Sequence, residues 1–348
     1  MLRIERIPIR DLPDYEDFLA SSPAVMMTHS AEWLQMLAEI TATIPQVVGV
    51  WDDDGLAGVL PFVVSPNRGE GRVINSLPFF GSHGGPVCRS GLNNLKVLEA
   101  LSEGFEQAAM ENKCRSATLI LTPFETRLED LRQIVRPDEE DWRIGQIALL
   151  PQDSERILPD LVEGKRRNNI RNAERKGVTV RERCDDEALE WLRSMHEEGI
   201  GAKGGVTKPK AFFAWAQRSA RSGGMCRFLF AERNGRIEAG MLVGCFAGCW
   251  EYLVPALDKQ MQDGNALSLL VYEGMRRAVN EGAVRWNFGG TWETQHGVYR
   301  FKKQFGASEF PYRYLVRIYD KSLSGLSLSR LAKAFPYFYS LPFRMVQP

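Results

Sequence analysis

The chain has 348 residues, 44% hydrophobic and 25% charged, with Lys+Arg and Asp+Glu balanced at 44 each. The length favours two domains, and the composition excludes a fibrous protein or one built around a long disordered tail. Zero formal net charge argues against a free-standing nucleic-acid binder, so any basic function must come from local clustering.

The N-terminal stretch MLRIERIPIRDLPDYEDF alternates charged and apolar residues and does not read as a signal peptide. The longest apolar run, Ala239 to Trp250, has about 12 residues against the roughly 20 needed to span a bilayer. The six cysteines show no CxxC. Cys245 and Cys249, four apart on one face of a strand, read as buried small apolar residues. No metal-ligand spacing appears, so no metal is expected. Reduced cysteines and a cytoplasmic location are the expectation.

Periodicity and breakers give the element order. Residues 2–7 alternate as a strand, Asp11 caps a short helix to Ala20, and Ser30 caps a second helix with Trp33, Leu34, Leu37 and Ile40 on one face. Strands over 46–51 and 56–64 flank the hairpin signal Asp53-Asp54-Gly55, and 71–77 is a further strand. The breaker-rich loop 78–86 leads to a long helix over 92–112, then strand 116–121, helix 125–135 and strand 143–149. The second half opens on one long helix, 153–176, stopped by Gly177. Strand 178–182 follows, then helices over 185–199 and 208–222 around the Gly201–Gly205 loop. Strands at 225–231, 237–246 and 249–254 form a meander, followed by helix 265–281, strand 284–288, a helical turn over 298–304 and a last strand over 312–318. Both halves thus read strand, two helices, three-strand meander, loop, long helix, strand, helix, strand. That predicts a repeated α+β unit with domains 1–150 and 151–320 and an extension over 321–348.

Three segments concentrate chemistry. Between Lys165 and Lys176 lie six basic residues against one acidic, Glu174. Arg166 falls on the same helical face as Val162, Ile170 and Ala173, and a guanidinium on a buried face seeks an anion that it can grip in bidentate fashion. The run GVYRFKKQFGA, 297–307, interleaves Arg300, Lys302 and Lys303 with Tyr299, Phe301 and Phe305. Its turn places Tyr299, Lys302 and Lys303 on one side and Phe301 and Phe305 on another. Beside the glycines of Phe288-Gly289-Gly290, cations held by aromatics suit an oxyanion or a phosphate. Asp263-Gly264-Asn265-Ala266 precedes the long helix, where Asp263 would cap and Gly264 would let a phosphate approach.

These segments resemble the FemAB family and its FemAB-like or GNAT-type relatives in exopolysaccharide clusters. The resemblance rests on Lys165-Arg166-Arg167-Asn168-Asn169-Ile170-Arg171 with Gly177-Val178, on Asn287-Phe288-Gly289-Gly290, and on Gly297 through Ala307. The first half adds His29-Ser30-x-x-Trp33 and Leu77-Pro78-Phe79-Phe80-Gly81-x-x-Gly84-Gly85. The element order is also similar to the GNAT fold, in which a fourth strand leads into a helix whose N-terminus receives a pyrophosphate. The resemblance implies two tandem GNAT-like domains with the active cleft in or beside the second. It implies transfer of an acyl or aminoacyl group from a carrier to an amine of a cell-envelope precursor, such as one for peptidoglycan or exopolysaccharide. No tightly bound cofactor is implied; acyl-CoA or aminoacyl-tRNA serves as co-substrate, with tRNA a partner in the latter case. Phe301-Lys302 match the family's pair near the attacked carbonyl. Lys165, Arg166 and Arg167 match the helix that holds precursor phosphates, with Tyr299 and His296 nearby on the substrate side. Gly264, Asn265 and Ala266 fall where a GNAT loop holds the carrier, although Met261 stands where that loop has Gln or Arg, and no coiled-coil arm interrupts the chain.

The acceptor amine needs a base. Glu251, between Trp250 and Tyr252 in an apolar setting, is the first candidate, with His296 and Glu293 as rivals and His83 a more distant one. No GxSxG or cysteine–histidine pairing points to a covalent intermediate. After Asp320 the tail has no acidic residue and combines Lys321, Arg330, Lys333 and Arg344 with Phe335, Tyr337, Phe338, Tyr339 and Phe343. That composition suits either a segment packed on the body or peripheral contact with an anionic membrane at its inner face, where a phosphorylated sugar or lipid-linked acceptor would lie. The competing reading is a non-catalytic GNAT-like module that binds polysaccharide or nucleic acid. Such a module needs the cations but no carboxylate facing them.

Overall fold

The structure is a computed structural model that describes residues 2–8, 15–20, 22, 24–79, 83–89, 95–201, 206–291 and 295–346. Asp11, Phe80, Gly81, residues 202–205 and Glu293 lie outside the described residues, as does the side chain of Asp263. In chain order the first elements are β1 (Arg3–Pro8), α1 (Tyr15–Ala20), α2 (Ala31–Thr41), β2 (Gln46–Asp52), β3 (Gly55–Val64), β4 (Arg72–Asn75), β5 (Val87–Cys88), α3 (Leu95–Glu111), β6 (Cys114–Ile120), α4 (Leu128–Val135) and β7 (Glu139–Leu149). There follow α5 (Gly164–Arg175), β8 (Thr179–Glu182), α6 (Asp186–Gly201), α7 (Lys210–Arg221), β9 (Cys226–Arg233), β10 (Arg236–Phe246), β11 (Cys249–Leu257) and α8 (Ala266–Asn280). The last are β12 (Arg285–Thr291), α9 (His296–Lys303), β13 (Ser308–Ile318) and α10 (Leu328–Ala334). Among the described residues no helix is long and apolar enough to cross a membrane.

Two units make up the chain: Met1–Arg143 with Pro311–Pro348, and Ile144–Phe310. In the first, β1, β2, β3 and β4 form an antiparallel meander, β4 pairs in parallel with β6, and β13 closes the sheet antiparallel to β6. In the second, β8, β9, β10 and β11 form the meander, β11 pairs in parallel with β12, and β7 closes the sheet antiparallel to β12. The pattern is the same twice, a tandem GNAT-like α+β architecture. The units divide the chain inside β7 and β13, at 143/144 and 310/311, and not after these strands at 150 and 320 as the sequence suggests. The closing strand of the first unit comes from the end of the chain, and that of the second comes from the stretch following the first unit's helices.

Each sheet is roofed by its long helix. In the first unit Leu98, Leu101, Phe105 and Ala108 of α3 pack on Val48, Leu60, Ala117 and Leu119. In the second, Leu270, Met275 and Ala278 of α8 pack with Met241, Trp250 and Trp286, and Ile170 and Ala173 of α5 join that core. The residues after Asp320, read from the sequence as an extension, belong to the first unit. Leu323, Leu331, Phe335 and Leu341 share a core with Val73. Tyr339 exchanges two hydrogen bonds with the Asn75 side chain, at 2.8 and 3.0 Å.

The expected helix over 153–176 is three pieces: a 3-10 turn (Ser154–Arg156), a π turn (Ile157–Leu161) and α5. Pro159 has no N–H to donate and disfavours helical geometry at Leu158. The chain runs extended at Val162 and Glu163, and the Glu163 N–H donates to the Gln304 carbonyl at 2.9 Å. The break puts Lys165, Arg166 and Arg167 in the first turn of a helix rather than in the middle of one. Cys245 and Cys249 also differ from expectation: they lie on β10 and β11, on either side of a hairpin.

Candidate active site

The site is built where two parallel strands part. β11 and β12 pair over only three residues, ending at Glu251 opposite Asn287. Beyond Asn287, β12 bulges against β7 at Phe288-Gly289 and then continues. Gly289 takes φ +75°, a left-handed conformation that a side chain would disfavour. The bulge turns the Gly289 and Gly290 carbonyls toward α9.

Lys302 meets them there. It is 5% exposed, and its Nζ donates to Thr291 Oγ1 at 2.8 Å, Gly290 O at 3.2 Å and Gly289 O at 3.3 Å. Burial pushes its pKa down to about 8. Two expectations are corrected here. Lys303 is exposed, so the two lysines do not share an environment. The Phe301–Phe305 pair, with ring centroids 5.2 Å apart, does not hold Lys302. It holds Arg166, whose guanidinium carbon lies 4.6 Å from the Phe301 ring and 5.6 Å from Phe305. Lysine is a strongly hydrated point charge that seeks oxygen, whereas the weakly hydrated planar guanidinium stacks on rings.

Arg166 donates from Nη1 to Ser268 Oγ at 2.9 Å, on the first turn of α8, and from Nη2 to Gln304 Oε1 at 2.6 Å. Both acceptors are neutral, and its Nε is buried without a partner. Burial lowers its pKa, an effect that Glu163 offsets in part. Arg167 is half-buried and donates to the Pro159 carbonyl at 3.3 Å, while Lys165 is exposed. Three cations thus stand in the first turn of α5, where the helix dipole is already positive and an anion is favoured.

Glu251 is buried, and Asn287 Nδ2 donates to its Oε2 at 3.4 Å. The Asn287 Oδ1 accepts from Gly289 N at 2.8 Å. Glu251 and Lys302 are therefore linked through Asn287 and Gly289. Strand alternation puts Glu251 on the face opposite Trp250 and Tyr252, whose rings pack on Trp286. His296 is exposed at the start of α9, and the Tyr299 hydroxyl is held by Glu309. His83 is in the first unit, buried with its ring 4.5 Å from that of Tyr312 and its pKa pushed down to about 4 by burial, far from a working base at neutral pH.

The loop before α8 has a feature the sequence did not suggest. Glu238 on β10 is fully buried and ion-paired with Arg233, and its Oε2 has no partner. That oxygen faces Gly264, where a Cβ would lie only 2.0 Å from it. Gly264 is therefore required by a close approach of Glu238, independently of any carrier. Asn265 adopts φ 55°, and Ala266 is fully buried. Gly264, Asn265 and Ala266 thus sit at the start of α8 as expected, but with a resident carboxylate beneath them.

Gln146, Thr291, Ser268 and Gln304 were missed as site residues. Gln304 lies within a quoted motif and Thr291 borders one, but a neutral polar side chain carries no sign in sequence that it will be buried. Among the described residues no group of three or more His, Cys, Asp or Glu is arranged to hold a metal. A groove of about 610 Å³ between α3 and α4 in the first unit contains none of the site residues.

Residues 164–303 match the acetyltransferase (GNAT) domain family. The second unit carries a GNAT domain. Among solved structures, FemX has a TM-score of 0.71 at 14% identity, covering 89% of this chain and 96% of FemX. A tandem GNAT protein from the clavulanic acid biosynthesis pathway follows at TM-score 0.57 and 10% identity, covering 92% and 99%. The C-terminal domain of a putative lysylphosphatidylglycerol synthetase from Agrobacterium fabrum gives 0.53 at 14% identity, covering 90% and 94%. No curated protein matches the sequence. The chain is thus FemAB-like in fold, and the matched GNAT region, 164–303, contains the expected site residues from Lys165 to Lys302.

Proposed function

We propose that the chain transfers an acyl or aminoacyl group from a carrier, acyl-CoA or aminoacyl-tRNA, to an amine of a phosphorylated cell-envelope or polysaccharide precursor. The observation that carries this reading is Lys302, a buried cation with no carboxylate among its hydrogen-bond partners, beside the point where β11 and β12 part. The amine nitrogen attacks the carbonyl carbon of the thioester or ester, and the carbonyl oxygen gains negative charge. Lys302 stabilises that charge, with Phe301 closing the site beside it. The attacking nitrogen loses its proton to Glu251. The tetrahedral species then collapses, the bond to the carrier breaks, and the carrier leaves as thiolate or alkoxide and is protonated. No covalent enzyme intermediate is needed.

Arg166, Arg167 and Lys165 hold the acceptor's phosphates, while Tyr299 and His296 line its approach. Gly264, Asn265 and Ala266 border the carrier. The name of the lysylphosphatidylglycerol synthetase supports a lipid-linked, phosphate-bearing acceptor as one version of the reaction. A lipid-linked acceptor would bring the protein to the inner face of the membrane. The test is a transfer assay with purified protein. Labelled acetyl-CoA and labelled aminoacyl-tRNA are each offered with amino-sugar nucleotides and with phospholipid vesicles, and products are read by mass spectrometry. Transfer from one donor supports the reading; release from neither donor to any amine removes it.

A further inference from the structure

We propose that Thr291 and Gln146 are positioning residues that lock Lys302 as a hydrogen-bond donor aimed along the bulge of β12. This inference rests on the reading of Lys302 as the group beside the reacting carbonyl.

The polarity of the chain of bonds can be read atom by atom. The main-chain carbonyl of Tyr299 can only accept, so the atom of Gln146 that meets it at 3.0 Å is the amide nitrogen. That fixes the other end of the amide: Gln146 Oε1 faces Thr291 Oγ1 at 2.7 Å, and an oxygen with no hydrogen requires the threonine hydroxyl to donate. With its one proton committed, Thr291 has only lone pairs left for Lys302 Nζ, 2.8 Å away. All three side chains are at least nine-tenths buried, so water does not compete for these bonds. Gln146 comes from β7, Thr291 from the end of β12 and Lys302 from α9. β7, 145 residues away in sequence, thus meets β12 and α9 at one directed relay.

Lys302 has two longer bonds, to Gly290 O at 3.2 Å and Gly289 O at 3.3 Å. The short bond to Thr291 is the pivot. The two N–H groups on the carbonyls are the ones free to be redirected to an incoming oxygen while the pivot stays made. A donor held this way needs no reorganisation when charge develops on a carbonyl.

Among the described residues, the charged groups on the surrounding elements do not do this work. Arg166 on α5 stacks over Phe301, Arg300 and Lys303 point outward from α9, and His296 is exposed at its start. Glu309 on β13 is occupied by the Tyr299 hydroxyl, and Glu251 on β11 connects to Lys302 through Asn287 and Gly289. Burial lowers the Lys302 pKa to about 8, and oxygen acceptors hydrogen-bonded to an amine favour its charged form.

The test follows the Lys302 side chain directly and needs no substrate. The full chain is labelled at the lysine ε-carbon, the Lys302 resonance is assigned by its loss in Lys302→Arg, and it is titrated by NMR. In the parent it should titrate well below the exposed lysines. Thr291→Val keeps the shape and deletes the acceptor. It should lower the Lys302 midpoint by about one unit, the equivalent of one hydrogen bond to a charged group. Thr291→Ser should restore the parent value, and Gln146→Leu, which frees the threonine hydroxyl to rotate, should give a smaller fall. A merely structural threonine would change stability without moving this midpoint. An unchanged midpoint in a folded Thr291→Val protein, or a Thr291→Ser protein that titrates like Thr291→Val, would overturn the assignment. If the transferase reading were to fail, the parent would show no transfer from any donor; the titration does not depend on that assay.

Discussion

Lys302 and Lys303 are neighbours in sequence and opposites in environment, one buried among oxygens and the other in water. Lys302→Ala should lower kcat by about 10²–10³, the usual effect of deleting one donor to a developing oxyanion, and leave KM nearly unchanged. Lys303→Ala should stay close to the parent; if Lys303→Ala were the crippled variant, Lys302 would lose its role. The sign of the pH dependence separates cation from base. If the ammonium stabilises the oxyanion, kcat falls as pH rises through about 8, whereas a neutral lysine acting as base would make it rise. Stability moves the other way. The native pKa of about 8 lies below the ordinary 10.5, so between those values the unfolded chain binds the proton that the native one has released, and stability rises with pH in that window. Below about 8 both states are protonated and the cost of burying the charge is fully present. Urea unfolding of the parent and of Lys302→Met at several pH values between 7.5 and 10.5 should show a steeper rise in the parent, since Lys208, whose pKa burial also lowers to about 8, contributes its own slope to both.

At the scale of elements, the basic segment was legible as a helix dense in cations, but its start was not. Periodicity runs through Pro159 and Val162 because Val162, Ile170 and Ala173 are all buried, although only the last two are helical. The observed break concentrates charge: Lys165, Arg166 and Arg167 occupy the first turn, while Arg175 and Lys176 lie exposed at the far end. Arg166→Ala should raise KM for a phosphorylated acceptor about ten- to a hundredfold and flatten its salt dependence. Arg175→Ala, at the other end, should leave KM where it was, and equal effects from the two would reduce the helix to a diffuse basic surface. The loop before α8 carries its own prediction. A methyl group at Gly264 would fall 2.0 Å from Glu238 Oε2 and force the buried Glu238–Arg233 pair to move. Gly264→Ala should therefore cost about 1–3 kcal/mol in urea unfolding, as overpacking does, whether or not any carrier binds there. A variant as stable as the parent would mean that the loop has room to give.

Over the whole molecule, the repeat was readable because each half alternates the same elements, and the meanders follow from strand periodicity and from hairpin signals such as Asn234-Gly235. What sequence order could not show is which strand closes which sheet. Pairing is decided by long-range register, and both β7 and β13 carry the alternation that suits either sheet. Reading outward from Leu149-Leu150-Pro151, a break at 150 is natural, yet β13 closes the first sheet against β6, with Val316 opposite Thr118. The same dependence on distant sequence explains the tail. Its aromatic and basic composition fits a membrane surface or a packed segment equally well, and what decides is the apolar surface at Val73 and the buried Asn75 side chain that exchanges hydrogen bonds with Tyr339, neither visible from the tail itself. The first unit should therefore depend on residues far beyond its apparent end. Phe335, 2% exposed, fills the core shared with Leu323, Leu331 and Val73. Phe335→Ala should cost about 3–5 kcal/mol, and a chain ending at Asp320 should lose more. Hydrogen exchange locates the damage: amides of β4, Arg72–Asn75, should lose protection in both variants, while those of α8, Ala266–Asn280, in the core of the second unit, should keep theirs. Were α8 to open together with β4 at the same free energy, the two units would unfold as one cooperative body and the tail would stabilise the whole chain rather than the first unit.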